Sequence, residues 1–299
     1  MPEEVEKIEK KAPVKYTFSG HESFQCRHLW LKKGFDFINN NRSFNSEDAV
    51  VELGVGKNMV ASIRFWMKAF DIIDGSDKLT PFGSKLLSDE GWDPYLEDEA
   101  SLWLLHYKLV TRGIASSYSI IFNELRKEKI EFTKFNFFSL IKRKADATVG
   151  IAYNEKTLND DFGVMTKMYL RSDAQNKDKE DTFSGLLTEL DIIQSYGKRG
   201  EEYYVIENTE KSELPEHVLL YSILDHEQLD SSISLSTIEQ EDNWAGSVFA
   251  INRSGIVAKI ESICEKNKNI VYTDHAGIKE LQFKKKQDPY KVLDSYYGK

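Results

Sequence analysis

Residues 44–87 read FNSEDAVVELGVGKNMVASIRFWMKAFDIIDGSDKLTPFGSKLL, and the order of local signals in this stretch decides the fold. Ser46 is suited to cap a short helix, with Glu47 and Asp48 well placed against the dipole in its first turn. Gly54 and Gly56 bracket Val55 and permit the tight turn that lets a second helix cross the first. Along residues 57–70, Met59, Val60, Ile63, Trp66, Met67 and Phe70 recur at helical spacing, which buries one face. The other face offers Lys57, Asn58, Ser62, Arg64 and Lys68, side-chain types that reach phosphates or base edges. Ile72 and Ile73 then suit a strand, Asp74-Gly75 a turn, and Leu79-Thr80-Pro81 a return strand. Helix, turn, helix and hairpin in this order describe a winged helix. Such modules also dock proteins, and exposed Lys and Arg are the ordinary solvated face of a helix.

The same logic recurs outward from this segment. Residues 18–24, FSGHESF, form a compact polar-aromatic turn that leads into RHLWLKKGFDFI, a helix expected to pack on the first module. Asp93-Pro94 opens a new element, and apolar spacing predicts helices over 96–109 and 116–127. Thr133 is placed to cap a helix bearing Phe135, Phe137, Phe138, Leu140 and Ile141, and a further helix is expected over 159–170. The charged stretch RSDAQNKDKED, 171–181, reads as a loop. Beyond it, strands at Ile192-Ile193 and over 203–206 flank Gly197 and Gly200 and suit a second wing. The remainder predicts a helix over 214–225, a short strand over 248–251 and a helix over 254–266. Paired strands over 270–273 and 278–283 follow. The expected architecture is α+β and mainly α-helical, with tandem winged-helix-like modules carrying short β-hairpin wings. A flexible tail spans 1–15, and modules span 16–91, 92–208 and 209–299.

Composition narrows the function. A chain of 299 residues that is 40% hydrophobic can bury the cores of two or three modules. No apolar run approaches the roughly 20 residues that span a bilayer. The opening MPEEVEKIEKKAPVK lacks the apolar stretch of a secretory signal, and Cys26 and Cys264 are too far apart for a disulfide framework or zinc-finger spacing. A cytoplasmic protein without membrane contact is expected. The net charge of -9 argues against a DNA-coating protein but leaves room for local basic surfaces. Candidates are Lys32-Lys33, Lys142-Arg143-Lys144, Lys198-Arg199 and Lys284-Lys285-Lys286.

Motifs for chemistry are weak. GVGKN at 54–58 is no P-loop, since Val51 and Asn58 stand where that motif needs Gly and Ser or Thr. Asp161-Phe162-Gly163 has no kinase catalytic loop to accompany it. His21, Glu22, Cys26 and His28 are the densest set of metal-ligand or acid-base types. Their spacing is not diagnostic, and a structural role in a buried turn is expected. His106 lies on a mainly apolar helix face and is expected in the core, as are Trp30, Trp66, Trp103, Phe135 and Phe138. No catalytic residue, metal or cofactor is assigned.

FSGHESF, RHLWLKKGFD, LGVGKNMVASIRFWMKAFDII, LTPFGSKLL, DPYLEDEASLWLLHY and the terminal DPYKVLDSYYG together resemble the bacterial domain-of-unknown-function family 4007. The resemblance runs from Phe18 to Tyr297. It implies a prokaryotic source and an association with DNA sulfur modification and phage-defence loci, and it brings no catalytic residues. The expected function is a DNA-binding accessory subunit of a phosphorothioation-type modification or anti-phage system. Lys57, Asn58, Ser62, Arg64, Lys68 and Lys78 would contact duplex DNA, with Arg64 and Asn58 reading bases. Other subunits of such a complex are expected partners, and self-association that supplies two half-sites is compatible with this reading. The alternatives are an adaptor that docks a modification or helicase partner, and a metal-dependent nuclease that uses His21 and Glu22.

Overall fold

The computed structural model describes residues 16–147, 151, 153–171, 185–226, 229–275 and 277–299. The predicted tail over 1–15 and most of the predicted loop over 171–181 lie outside them. The described chain is α+β, about half helical, with two small antiparallel sheets.

The first unit begins with α1 (Trp30–Asn39), α2 (Ala49–Leu53) and α3 (Lys57–Ala69), followed by α4 (Pro81–Leu87). Gly54 ends α2 in the left-handed region and extended Gly56 starts α3, so the two glycines do turn the chain. Ser46 accepts from the Asp48 N–H (3.3 Å) in the turn before α2, not at its cap, which is Asp48. The expected strands of the first wing shrink to a single bridge, Ile73 with Leu79. The cause is local. Asp74 Oδ1 accepts from the Lys78 and Ser76 backbone and from the Ser76 hydroxyl, drawing the segment into a closed loop. Thr80 then starts the next helix by accepting from the Gly83 N–H at 2.9 Å, with Pro81 supplying a preset first turn.

The middle unit contains α5 (Glu99–Arg112), α6 (Ser116–Ile120), a π-helical turn (Ile121–Leu125) and α7 (Arg126–Glu128). It continues with β1 (Glu131–Phe132), α8 (Lys134–Ala147), α9 (Glu155–Tyr169), β2 (Gln194–Lys198) and β3 (Glu201–Val205). Asn154 caps α9 four residues ahead of the expected start. The strands lie in the order β1-β3-β2. Lys198 faces Glu201 across a turn in which Arg199 and Gly200 both have positive φ, as a two-residue hairpin requires.

The third unit runs α10 (Glu216–Leu224), β4 (Ser232–Ser234), α11 (Leu235–Gln240), α12 (Ala245–Phe249), α13 (Arg253–Lys266), β5 (Ile270–His275), β6 (Ile278–Phe283) and α14 (Pro289–Tyr297). Its strands repeat the pattern of the middle unit, in the order β4-β6-β5. The strand expected over 248–251 is absent, because α12 occupies its first half and only Ile251 bridges to Thr209. Tertiary contacts override the β-branched local pattern here. The buried Arg126 guanidinium donates to the carbonyls of Gly246 (3.1 Å) and Ser247 (2.9 Å) and holds the helical turn.

The units share their core. The rings of Trp103, His106, Phe122, Tyr169 and Phe249 pack together where the middle and third units meet. Asp294 on α14 returns to the first unit, accepting from Lys85 (2.8 Å) and Trp92 Nε1 (2.9 Å). His106 sits fully buried between the Tyr169 hydroxyl (2.7 Å) and the Val248 carbonyl (2.8 Å). The carbonyl needs a donor, so Nε2 carries the proton and Nδ1 accepts from Tyr169. Burial lowers the imidazole pKa to about 4. The native state therefore binds fewer protons here than the unfolded chain, whose His titrates near 6.5. This contribution is complete above pH ~6.5 and is lost as the pH falls toward about 4, on the order of 3 kcal/mol in all. Urea unfolding at pH 7 and pH 4.5 is expected to show a smaller loss in His106→Gln than in the parent. An equal loss would contradict this account.

Candidate nucleic-acid interface

Of the apolar residues read from the sequence, Val60, Ile63, Trp66, Met67 and Phe70 lie in the core, joined by Ala69, while Met59 is only partly buried against it. The 18–24 turn clamps this buried side. The His21 ring stacks on the Trp66 indole (centroids 5.8 Å apart, planes 8° apart), and Trp66 Nε1 donates to the Phe24 carbonyl at 2.9 Å. Gly20 is required at this contact, because a Cβ there would run into the Phe65 ring. The turn is anchored on α9, where Asp161 accepts from the Ser19 N–H (2.6 Å), from His21 Nε2 (2.7 Å) and from the Ser117 hydroxyl. With Nδ1 accepting from the Ser23 N–H, the His21 proton is fixed on Nε2. α3 is thereby bolted to the middle unit.

On the outer side, Lys57 and Asn58 are exposed in the first turn of α3, and Lys78 is exposed in the loop between Ile73 and Leu79. Ser62 must be corrected. It is fully buried, at helical spacing with Trp66 and Ala69, and its hydroxyl has no hydrogen-bond partner among the described residues. That i, i+4, i+7 relation belongs to the buried stripe, so Ser62 cannot reach a ligand from the folded helix. Arg64 and Lys68 are partly exposed but already partnered. Arg64 grips Asp77 through Nε (3.0 Å) and Nη2 (2.6 Å) and reaches Asn45 through Nη1 (3.1 Å). Lys68 holds the same carboxylate at 2.8 Å and the Gly75 carbonyl at 3.2 Å. Burial works against the charge of Asp77, but the hydrogen bonds from Arg64 and Lys68 outweigh it and hold the carboxyl below its usual range.

Sequence reasoning missed Asp77. The bidentate fork that suits Arg64 for a base or a phosphate equally suits a carboxylate brought back by the loop after Ile73. Along the groove between the α2 segment and α3 runs a cleft of about 860 Å³. Lys57, Arg64 and Lys68 lie on its helical wall, while Phe44, Val50 and Phe65 give it an apolar floor.

Two of the other basic stretches are neutralised in part. Lys32 is buried between Asp36 (2.7 Å) and Asp89 (2.8 Å), Arg143 pairs with Glu128 and Lys144 with Glu124. The sequence cluster of His21, Glu22, Cys26 and His28 disperses. His21 and Cys26 are buried, whereas Glu22 and His28 are exposed. Among the described residues, no three His, Cys, Asp or Glu side chains converge on a metal position. Likewise, none of the described helices is long and apolar enough to cross a membrane.

Residues 18–297 match the model of a family described as protein of unknown function, DUF4007. Two crystal structures of SspB superpose on the chain. The magnesium ion-bound form gives a TM-score of 0.84 and the other form 0.83. Each is 29% identical and covers 94% of this chain and 88% of that one. No curated protein matches.

Proposed function

The chain belongs to the DUF4007 family, and from that membership and the geometry of α3 we propose a DNA-binding accessory subunit of a prokaryotic modification or anti-phage system. The modification in view is phosphorothioation, and the unit borders lie near Gly91 and Asn208. One observation carries the reading. In two successive units, a strand, two or more helices and a hairpin close into a three-stranded sheet whose first strand lies against the third. This order supports a winged-helix reading, which we extend to the first unit although its hairpin is reduced to one bridge. α3 enters the major groove with Lys57 and Asn58 leading, and Lys78 lies beside the phosphate backbone. Arg64 and Lys68 join once a phosphate displaces Asp77.

Duplex binding across a salt titration tests this, with phosphorothioate-bearing and plain DNA compared. Affinity falls steeply with salt, and Lys57→Ala and Lys78→Ala each reduce the log–log slope by about 1. Arg64→Ala weakens specific binding by about 1–3 kcal/mol, whereas Asp77→Asn strengthens binding by freeing two cations. Unchanged slopes in both lysine variants would overturn the placement of α3.

A second reading, an adaptor, is favoured by the apolar floor of the cleft and by the prior neutralisation of Arg64 and Lys68. Binding to DNA that requires another subunit, with Val50→Asp abolishing capture of that subunit, would select it.

A further inference from the structure

A second cavity, of about 500 Å³, lies far along the chain from α3, between α10, the C-terminal end of α13, the segment after β6 and α14. Four ammonium groups border it, those of Lys266, Lys285, Lys286 and Lys291, against the two carboxylates Glu216 and Asp288. Both carboxylates are engaged. Glu216 pairs with Lys266 at 2.7 Å, and Asp288 caps α14 by accepting from the Tyr290 N–H at 2.9 Å. Lys285, Lys286 and Lys291 have no ion-pair partner among the described residues, although the charge of Lys291 also acts on Asp294, which is itself paired with Lys85.

The remaining lining is not that of a plain solvated surface. Gln287 is oriented by the bond from Asn267 Nδ2 to its Oε1 (2.8 Å), and this leaves Nε2 buried with no acceptor among the described residues. A buried donor without a partner is uncommon and calls for an acceptor that the protein does not supply. Leu220, Ile263 and Val292 form an apolar floor. The volume falls within the usual range for small-ligand sites, and a lone inorganic anion would leave the floor uncovered.

We propose that this cavity binds the phosphate group of a nucleotide, free or within a DNA strand. The phosphate lies among Lys285, Lys286 and Lys291, and the sugar and base cover the floor within reach of Gln287. The site is independent of duplex contact by α3.

The test is calorimetric titration of the intact protein, at low ionic strength, with the four common nucleoside monophosphates, with inorganic phosphate and with a short oligonucleotide. At least one monophosphate is expected to saturate, with inorganic phosphate at least tenfold weaker. Lys286→Glu combined with Lys291→Glu weakens the nucleotide at least tenfold without lowering Tm. Gln287→Leu also weakens it while leaving the charge intact. Displacement of the nucleotide by the oligonucleotide identifies a strand as the source of the phosphate, and failure to displace identifies the free nucleotide. Lys57→Ala with Lys78→Ala leaves nucleotide binding unchanged, so failure at α3 and failure here are separable. Absence of any saturating monophosphate, or binding unaltered in both cavity variants, overturns the proposal.

Discussion

Replacing Asp161 with alanine is expected to lower folding stability by about 3–5 kcal/mol. The carboxylate is buried and takes three donors from two other segments: the Ser19 N–H, His21 Nε2 and the Ser117 hydroxyl. Alanine leaves all three in the interior without an acceptor, and each buried orphan costs about 1–3 kcal/mol. Ser19, Glu22 and Ser23 have positive φ, a conformation that non-glycine residues hold only when their surroundings enforce it. Without the anchor the 18–24 turn relaxes, and the stack of His21 on Trp66 behind α3 is lost. Asp161→Asn keeps one acceptor oxygen and is expected to fall between the two. Urea unfolding with a constant m-value measures the loss. A change below 1 kcal/mol in the alanine variant would mean that the turn is held by packing alone.

Lys108→Met is expected to cost a similar amount, about 3–5 kcal/mol, through a different route. Lys108 is buried, with its ammonium 2.8 Å from Asp225 of the third unit and 3.4 Å from Asp71 of the first. The rings of Phe82, Tyr107 and Tyr221 surround it at 5.2–5.6 Å. One cation on α5 thus joins two carboxylates that are far apart in sequence. Methionine fills the space but strands both carboxylates in low dielectric, and only Arg112, 3.3 Å from Asp71, remains to compensate one of them. The discriminating comparison is Lys108→Met together with Asp225→Leu. Removing a whole buried pair costs far less than removing one partner. The double variant is therefore expected to recover part of the loss, and purely additive losses would refute the coupling.

Much of the local structure was legible along the chain. The apolar spacing of residues 57–70 identified α3 and its buried side, and the glycines at 54 and 56 identified the turn, whereas Thr80 and Pro81, read as part of a return strand, instead start α4. These signals act over a few residues, where backbone sterics and capping decide the outcome. Ser62 was also legible in principle, from its spacing to Trp66 and Ala69, but its polar type suggested the opposite face. The helix in place of the strand over 248–251 was not legible, since its carbonyls are taken by Arg126, about 120 residues earlier.

The sequence by itself determined the α+β class, the family membership and the turn-and-helix frame that presents Lys57, Asn58 and Lys78, because each follows from neighbours in the chain. Only the tertiary structure decided which charges remain available. Arg64 became a partner of Asp77 across 13 residues, and His21 a partner of Asp161 across 140. Lys285, Lys286 and Lys291 were left facing a cavity without an ion-pair partner among the described residues. Coulomb and hydrogen-bond energies depend on distance in space, and composition cannot reveal which opposite charge folding will bring within 3 Å.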